Sequence, residues 1–213
     1  MHYEQLSREA LVAALMGPIP TDLAEPAEAV KPRCEPTAQA LPPAAPYVPW
    51  PRHALDAALD LDLPPPVRHR LSAARELMLR TLGQRLASAP LMSSPQSVKD
   101  WLVLQCCGLQ HEVFWVLFLD GQHRLISAEP MFRGTLAQTS VYPREVAKTA
   151  LLRNAAAVVV AHNHPTGCPE PSRADEFLTQ ALKSTLALID VRLLDHFVVG
   201  GTSTVSFAER GLL

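Results

Sequence analysis

The 213-residue chain has no apolar run long enough to cross a bilayer as a helix, which takes about 20 residues, so no membrane span is expected. It has no basic excess. Its 19 Lys and Arg stand against 21 Asp and Glu, giving a net charge of −2 and a pI near 6.4. A nucleic-acid binder usually carries an electropositive footprint, and the composition offers none. A disulfide framework is missing too. The four cysteines, Cys34, Cys106, Cys107 and Cys168, include no C-x-x-C pair, and adjacent Cys106 and Cys107 are poor partners for each other. That usage fits a reducing cytoplasm. The first residues, MHYEQLSREA, carry no basic stretch ahead of an apolar run, so no signal peptide is expected.

What the chain does have is apolar bulk, 48% of its residues, enough for one substantial core and a smaller appendage. It also has proline, unevenly placed. Residues 1–17 read as a short N-terminal helix with Ser7 as N-cap and Gly17-Pro18 as the stop. Residues 18–51, rich in Pro, Ala and Glu, lack large apolar side chains and read as an extended, disordered linker, with Tyr47 and Trp50 near its end. Deleting residues 1–51 is therefore expected to leave a folded protein. Residues 52–92 read as helical, broken at Pro64-Pro65-Pro66, with Leu71, Leu77, Leu79, Leu82 and Leu86 as the apolar face of the second part.

Residues 93–213 form the main domain. A helix begins at Ser94-Pro95 and ends at Gly108, with Cys106 and Cys107 as small packing residues. EVFWVLFLD and the region around Arg124 to Ala128 read as strands, and SVYPREVAKTALLRN as a helix. AAAVVV is a buried strand, SRADEFLTQALKSTLALI a helix, and VRLLDHFVVG and STVSF are strands. Strands and helices alternate irregularly, so the expected class is α+β, or mixed α/β.

The chemistry concentrates in AHNHPTGCPEPSRAD. His162 and His164 stand two apart at the end of the AAAVVV strand, and in an extended chain such residues point to one side. The following loop leads to Ser172 and Asp175 in the first turn of a helix, which can bring the carboxylate back to both imidazoles. Two histidines and one carboxylate make a three-ligand site for a borderline metal such as zinc, leaving a fourth position for water. Ser172 and Asp175 also resemble a capping box, although Glu or Gln is usual at its last position. Ser172 is a candidate donor to an oxyanion. Asp195 and His196 invite a reading in which a carboxylate orients a metal-bound imidazole, or one in which both are satisfied polar groups on a strand.

H-x-H-P followed by S-x-x-D is met at every specified position, by His162, His164, Pro165, Ser172 and Asp175. The pattern is similar to the JAMM motif of the MPN-type metalloproteases. The chain further resembles the bacterial RadC proteins through HEVFWVLFLD, FRGT, SVYPREV, AHNHPTG, PSRAD, RLLDHFVVGG and SFAERGLL, in that order. The resemblance implies an MPN fold, a curved mixed β-sheet flanked by helices with zinc at the sheet's edge. It implies one Zn2+ per chain on His162, His164 and Asp175. It also implies a glutamate that handles the proton of the attacking water. The match puts that role on Glu112. Glu129, at the end of the next strand, is the rival, and Glu145 reads as solvated. His111-Glu112 is not an H-E-x-x-H site, because position 115 is Trp.

By resemblance, the expected function is hydrolysis of peptide or isopeptide bonds, with a protein or peptide as substrate. Two alternatives remain open: a DNA-repair accessory protein that binds DNA without hydrolysis, and a metal-bearing interaction module without turnover. RadC proteins usually carry a helix-hairpin-helix whose glycine amides approach a phosphate. Here the corresponding stretch, DLDLPPPVRHR, has three prolines and no glycine, so Arg68, His69 and Arg70 read as a solvated helix start. DNA binding is expected to be weak or absent. Cys168 departs from the family pattern, in which that loop position is usually Asp or another small polar residue. A thiolate there would close the open coordination position; the simpler reading is a tolerated loop substitution. Oligomeric state is not legible in the sequence.

Overall fold

The computed structural model describes residues 5–17, 65–93, 95–106, 108–134 and 141–213. The linker reading of 18–51, with Cys34, Tyr47 and Trp50, falls outside the described residues, as do 52–64, Ser94 and Cys107. The described helices are α1 (Arg8–Met16), α2 (Pro65–Ser88), α3 (Pro95–Cys106), α4 (Pro143–Leu152) and α5 (Arg173–Ala187). The strands are β1 (Val113–Leu119), β2 (Leu125–Arg133), β3 (Ala157–Asn163), β4 (Arg192–Gly200) and β5 (Ser203–Ser206). They form one sheet in the order β2-β1-β3-β4-β5, in which β3 and β4 are parallel and the other pairs antiparallel. The fold is α+β, as a mixed sheet with helices on both faces, and is consistent with the MPN type. No helix among the described residues is long and apolar enough to cross a membrane.

The sheet is covered on both faces, so β1 and β3 carry no polar alternation: every residue of either strand is buried. Alternate side chains go to opposite cores. Trp115, Leu117 and Leu119 join Val159 and Ala161 against Leu79 and Leu86 of α2 and Val98, Trp101, Leu102 and Cys106 of α3. Phe114, Val116 and Phe118 join Val158 and Val160 against Val146 and Ala150 of α4 and Leu182 and Leu186 of α5. Truncating Leu117, which has no exposed surface, to Ala would be expected to cost about 2–5 kcal/mol. β3 ends three residues beyond AAAVVV, because Ala161, His162 and Asn163 continue the ladder beside β4.

The N-terminal elements depart from their apolar spelling. α1 is capped by Ser7 as expected, but it buries Leu11, whereas Val12 and Met16 face solvent. α2 starts inside the proline triplet; a proline there fits the first helical turn, which needs no amide donor. Of its leucines, Leu79 and Leu86 are buried with Ala73, while Leu71 is exposed. Its arginines reach backbone carbonyls. Arg70 Nη2 donates to Gly17 O at 2.8 Å, Arg80 Nη1 to Leu6 O at 2.7 Å, and Arg75 Nε to Leu104 O at 2.9 Å. α1 and α3 are thus tied to α2: Gly17 O and Leu104 O lie at C-terminal helix ends, where carbonyls lack internal partners, and Leu6 O lies just ahead of α1. Deletion of residues 1–51 would remove buried Leu11 and two of those carbonyls. This revises the expectation drawn from the linker alone: such a truncation should destabilise α2.

Candidate metal centre

β3 ends where the chain leaves the sheet, and parallel β4 runs beside it, with Val160 level with His196 and His162 level with Val198. His162, His196 and α5 lie on the Phe114 face of the sheet. Phe114 stacks on His162 with ring centroids 6.3 Å apart, and Phe207 stacks on His196 at 4.6 Å. The cluster sits at the end of the central strand, where the sheet stops.

His164 begins the loop. Its amide is held by Val199 O at 2.8 Å, and its ring Nδ1 lies 2.8 Å from Cys168 O. The loop can lie this close to β4 because residue 200 is glycine. A Cβ there would meet Pro169 N and would come within 2.6 Å of the Cys168 carbonyl carbon and Gly167 O. Cys168 thus serves through its carbonyl; its exposed thiol is not in the ligand-type cluster. That cluster is His162, His164 and Asp175, whose donor atoms lie within 4.8 Å of one another.

Asp175 is fixed by the start of α5. Ser172 is the N-cap, and the capping box closes with Asp175 in the place of the usual Glu. Asp175 Oδ2 accepts from Ser172 N at 2.7 Å and from Ser172 Oγ at 2.6 Å. Its Oδ1 lies 3.4 Å from His162 Nε2, and its Oδ2 3.8 Å from His164 Nε2. The hydroxyl proton of Ser172 is therefore directed at Asp175.

The two imidazoles face each other, Nε2 to Nε2, at 3.0 Å. Which of these nitrogens carries a proton follows from their neighbours. Cys168 O can only accept, so His164 Nδ1 carries a proton, and a ring with a single proton has a bare Nε2. His162 Nδ1 lies 2.9 Å from His196 Nε2, and His196 Nδ1 lies 2.7 Å from Thr179 Oγ1. Thr179 Oγ1 also lies 2.6 Å from Asp175 O. Two oxygens that close need a proton between them, and it can only be the threonine's. Thr179 then accepts from His196, His196 from His162, and His162 Nε2 is left bare. Burial keeps both rings neutral. It pushes His162 down to about 4, with His164 adding to the shift and Asp175 opposing it. It holds His196 well below the ordinary histidine range, and the two neighbouring histidines reinforce that.

Two lone pairs and a carboxylate thus converge with no donor between them. That arrangement asks for a cation. The ring nitrogens are 3.0 Å apart, and each lies 3.4 or 3.8 Å from a different oxygen of Asp175; ligands at about 2.0–2.1 Å from zinc in a tetrahedron stand about 3.4 Å apart, so the two-histidine, one-carboxylate set suits the metal after small side-chain shifts.

The remaining candidates lie as follows. Glu112, half-buried, immediately precedes β1. Asn163, which sequence reasoning passed over, grips the backbone on either side of it: Asn163 Oδ1 accepts from Val113 N at 2.9 Å, and Nδ2 donates to His111 O at 3.0 Å. Glu129, in β2, is held by Arg153 Nε at 2.6 Å and Ser127 Oγ at 3.0 Å. Glu145 is in the first turn of α4, with Arg144 at 3.5 Å. Asp195 does not orient an imidazole. It accepts from Ser206 Oγ, His196 N and Ala208 N, and burial raises its pKa against those bonds. The group beside His162 Nδ1 is the His196 ring, already singled out in the sequence together with Asp195, and Thr179 stands behind it; the hint for Thr179 was its place one turn after Asp175. A separate groove of about 540 Å³ lies across the sheet, lined by Leu77, Met78, Leu82, Val103 and Leu104 among others, far from this chemistry.

Residues 92–212 match the family described as the RadC-like JAB domain. The chain is 66% identical over 151 residues to a UPF0758 protein of Leptothrix cholodnii, covering 71% of this chain and 68% of that one. It is 64% identical to one of Methylibium petroleiphilum over the same shares, and 62% identical to one of Polaromonas sp., covering 71% and 67%. With a matched domain spanning more than half the chain and containing the whole His–His–Asp cluster, the protein belongs to the RadC-like JAB domain family.

Proposed function

We propose that the protein is a zinc-dependent hydrolase of peptide or isopeptide bonds, with a protein or peptide as substrate. The observation that carries this reading is the pair of bare ring nitrogens 3.0 Å apart beside the Asp175 carboxylate. His162, His164 and Asp175 would hold one zinc, which when bound supplies a Lewis acid for a water and a carbonyl. The side chains do the rest. Glu112 is assigned the proton: it takes it from the attacking water and returns it to the leaving amine. Asn163 supports that assignment by fixing the backbone at His111 and Val113. The ion pair of Glu129 with Arg153 speaks against the rival. Ser172 is assigned the hydrogen bond to the oxyanion, in competition with Asp175 Oδ2, which receives its proton in the structure. DNA is not proposed as a partner, because Arg70, Arg75 and Arg80 are engaged with backbone carbonyls.

The test joins metal analysis to a substrate trap. Purified protein should carry about one zinc per chain. Glu112→Gln should keep it and hold peptide-linked substrates that the active protein releases. Zinc-free protein, or a Glu112→Gln variant as active as its parent, would refute the reading.

A further inference from the structure

We propose that Thr179 and His196 are positioning residues that set the tautomer of His162 and so keep its Nε2 lone pair aimed into the cluster. The inference rests on reading His162 as a metal ligand, but its direct readout does not need the metal.

The chain of contacts runs from the backbone of one candidate ligand to the ring of another: Asp175 O, Thr179 Oγ1, His196 Nδ1, His196 Nε2, His162 Nδ1. Thr179 Oγ1 has one proton and two close neighbours. Asp175 O, at 2.6 Å, cannot donate, so the hydroxyl proton goes there and the ring must supply the other hydrogen bond. Each later proton follows from the one before. Reversing the relay would leave the threonine and carbonyl oxygens in contact without a proton. It would also put a hydrogen on His162 Nε2, where a metal would bind. The hydroxyl of one threonine on α5 therefore governs the donor atom on β3.

The surroundings leave little alternative. His196 is fully buried, and its ring lies between Phe207, stacked at 4.6 Å, and Phe114, edge-on at 5.8 Å. No water-facing partner is offered to either ring nitrogen. Ligand histidines are commonly oriented by a carboxylate or a backbone carbonyl. Here a neutral imidazole does it, adding no charge to the site.

Long-range proton–nitrogen NMR of the metal-free protein reads the tautomers directly. In the unmodified chain both His162 and His196 should carry the proton on Nδ1. Thr179→Val removes the hydroxyl at nearly constant volume and should shift His196, and with it His162, towards a mixture that includes the Nε2-protonated form. Thr179→Ser should restore the original spectrum. In competition with a chromophoric chelator for zinc, Thr179→Val should lose affinity by about 10–100-fold, the usual effect of removing such a partner, while Thr179→Ser stays within about threefold. An unmodified chain with the proton on His162 Nε2 would overturn the proposal, and this measurement stands even if Thr179→Val does not fold. So would a folded Thr179→Val protein with unchanged tautomers and zinc affinity. A chain that takes up no zinc, yet shows the assigned tautomers and loses them in Thr179→Val, would sink the hydrolase reading and leave the relay standing.

Discussion

The arginines of α2 and the histidines at the end of β3 are both polar groups in partly buried places, but only the histidines read in the sequence as a binding site. Their hydrogen-bond accounts differ. Arg70, Arg75 and Arg80 each donate to a backbone carbonyl, at Gly17 and Leu6 on either side of α1 and at Leu104 in α3. His162 and His164 use one ring nitrogen each within the fold and turn the other on a common point, beside a carboxylate. A polar cluster whose valences close internally holds structure together. One that leaves lone pairs facing each other is prepared for a ligand. Charge and residue type do not separate the two cases; the direction of each donor and acceptor does.

The largest effects should come from the histidine side. His162→Ala or His164→Ala should abolish zinc uptake measured by plasma mass spectrometry, while Arg75→Ala should retain about one zinc per chain. Equal metal content in all three would erase the contrast. Next comes Glu112→Gln, which should keep the metal and lower peptide hydrolysis by about 10²–10⁴-fold. If Glu129→Gln shows that loss instead, the base has been misassigned, and its ion pair with Arg153 would not be the structural feature it is taken for here.

A smaller effect, on stability alone, should follow from the arginine side. Arg75→Ala leaves carbonyls near the end of α3 without a charged donor, and a denaturant midpoint should report a loss of about 1–3 kcal/mol. Acid should expose the histidine side in metal-free protein. His162 falls to about 4 on folding, below an unfolded value of about 6.5, so the unfolded chain takes its proton first. Stability should therefore decline as pH drops from about 6.5 towards 4, and buried His196 acts in the same direction. Asp195, raised on folding, opposes this in its own range. A flat stability profile across that window would contradict the buried, neutral His162.

The smallest effect concerns DNA. With the net charge negative and three α2 guanidinium groups donating to carbonyls, affinity at 150 mM salt should be no better than non-specific, roughly 10⁻⁴ M or weaker, and Arg70→Ala should not change it. Sub-micromolar binding of duplex, single-stranded or branched DNA in an anisotropy titration would reverse the ranking of the two regions.

The strands of the main domain were legible because β-branched and aromatic runs such as VFWVLFL and AVVV have few other uses, and Ser7 and Ser172 marked helix starts because capping is a contact across three residues. The apolar face of α2 was misread at Leu71, since which leucines are buried depends on where α1 and α3 pack. Linear pattern was a weak guide there because α2 is nearly as polar around one side as another.

By itself the sequence determined that His162 and His164 share a side, since strand alternation is a property of two adjacent peptide units, and that Asp175 sits in a first helical turn, since Ser172 caps it. Tertiary structure alone decided the rest. His196 comes level with Val160, one alternation below His162, through a parallel register that contains a shift between Val158 and Val159. Thr179 meets His196 only because α5 packs back over β4. Asn163, spelled inside the motif, turns sideways to hold the chain around Glu112. These contacts join residues 17 to 52 positions apart, and such pairings are set by packing and register, which local propensity does not encode.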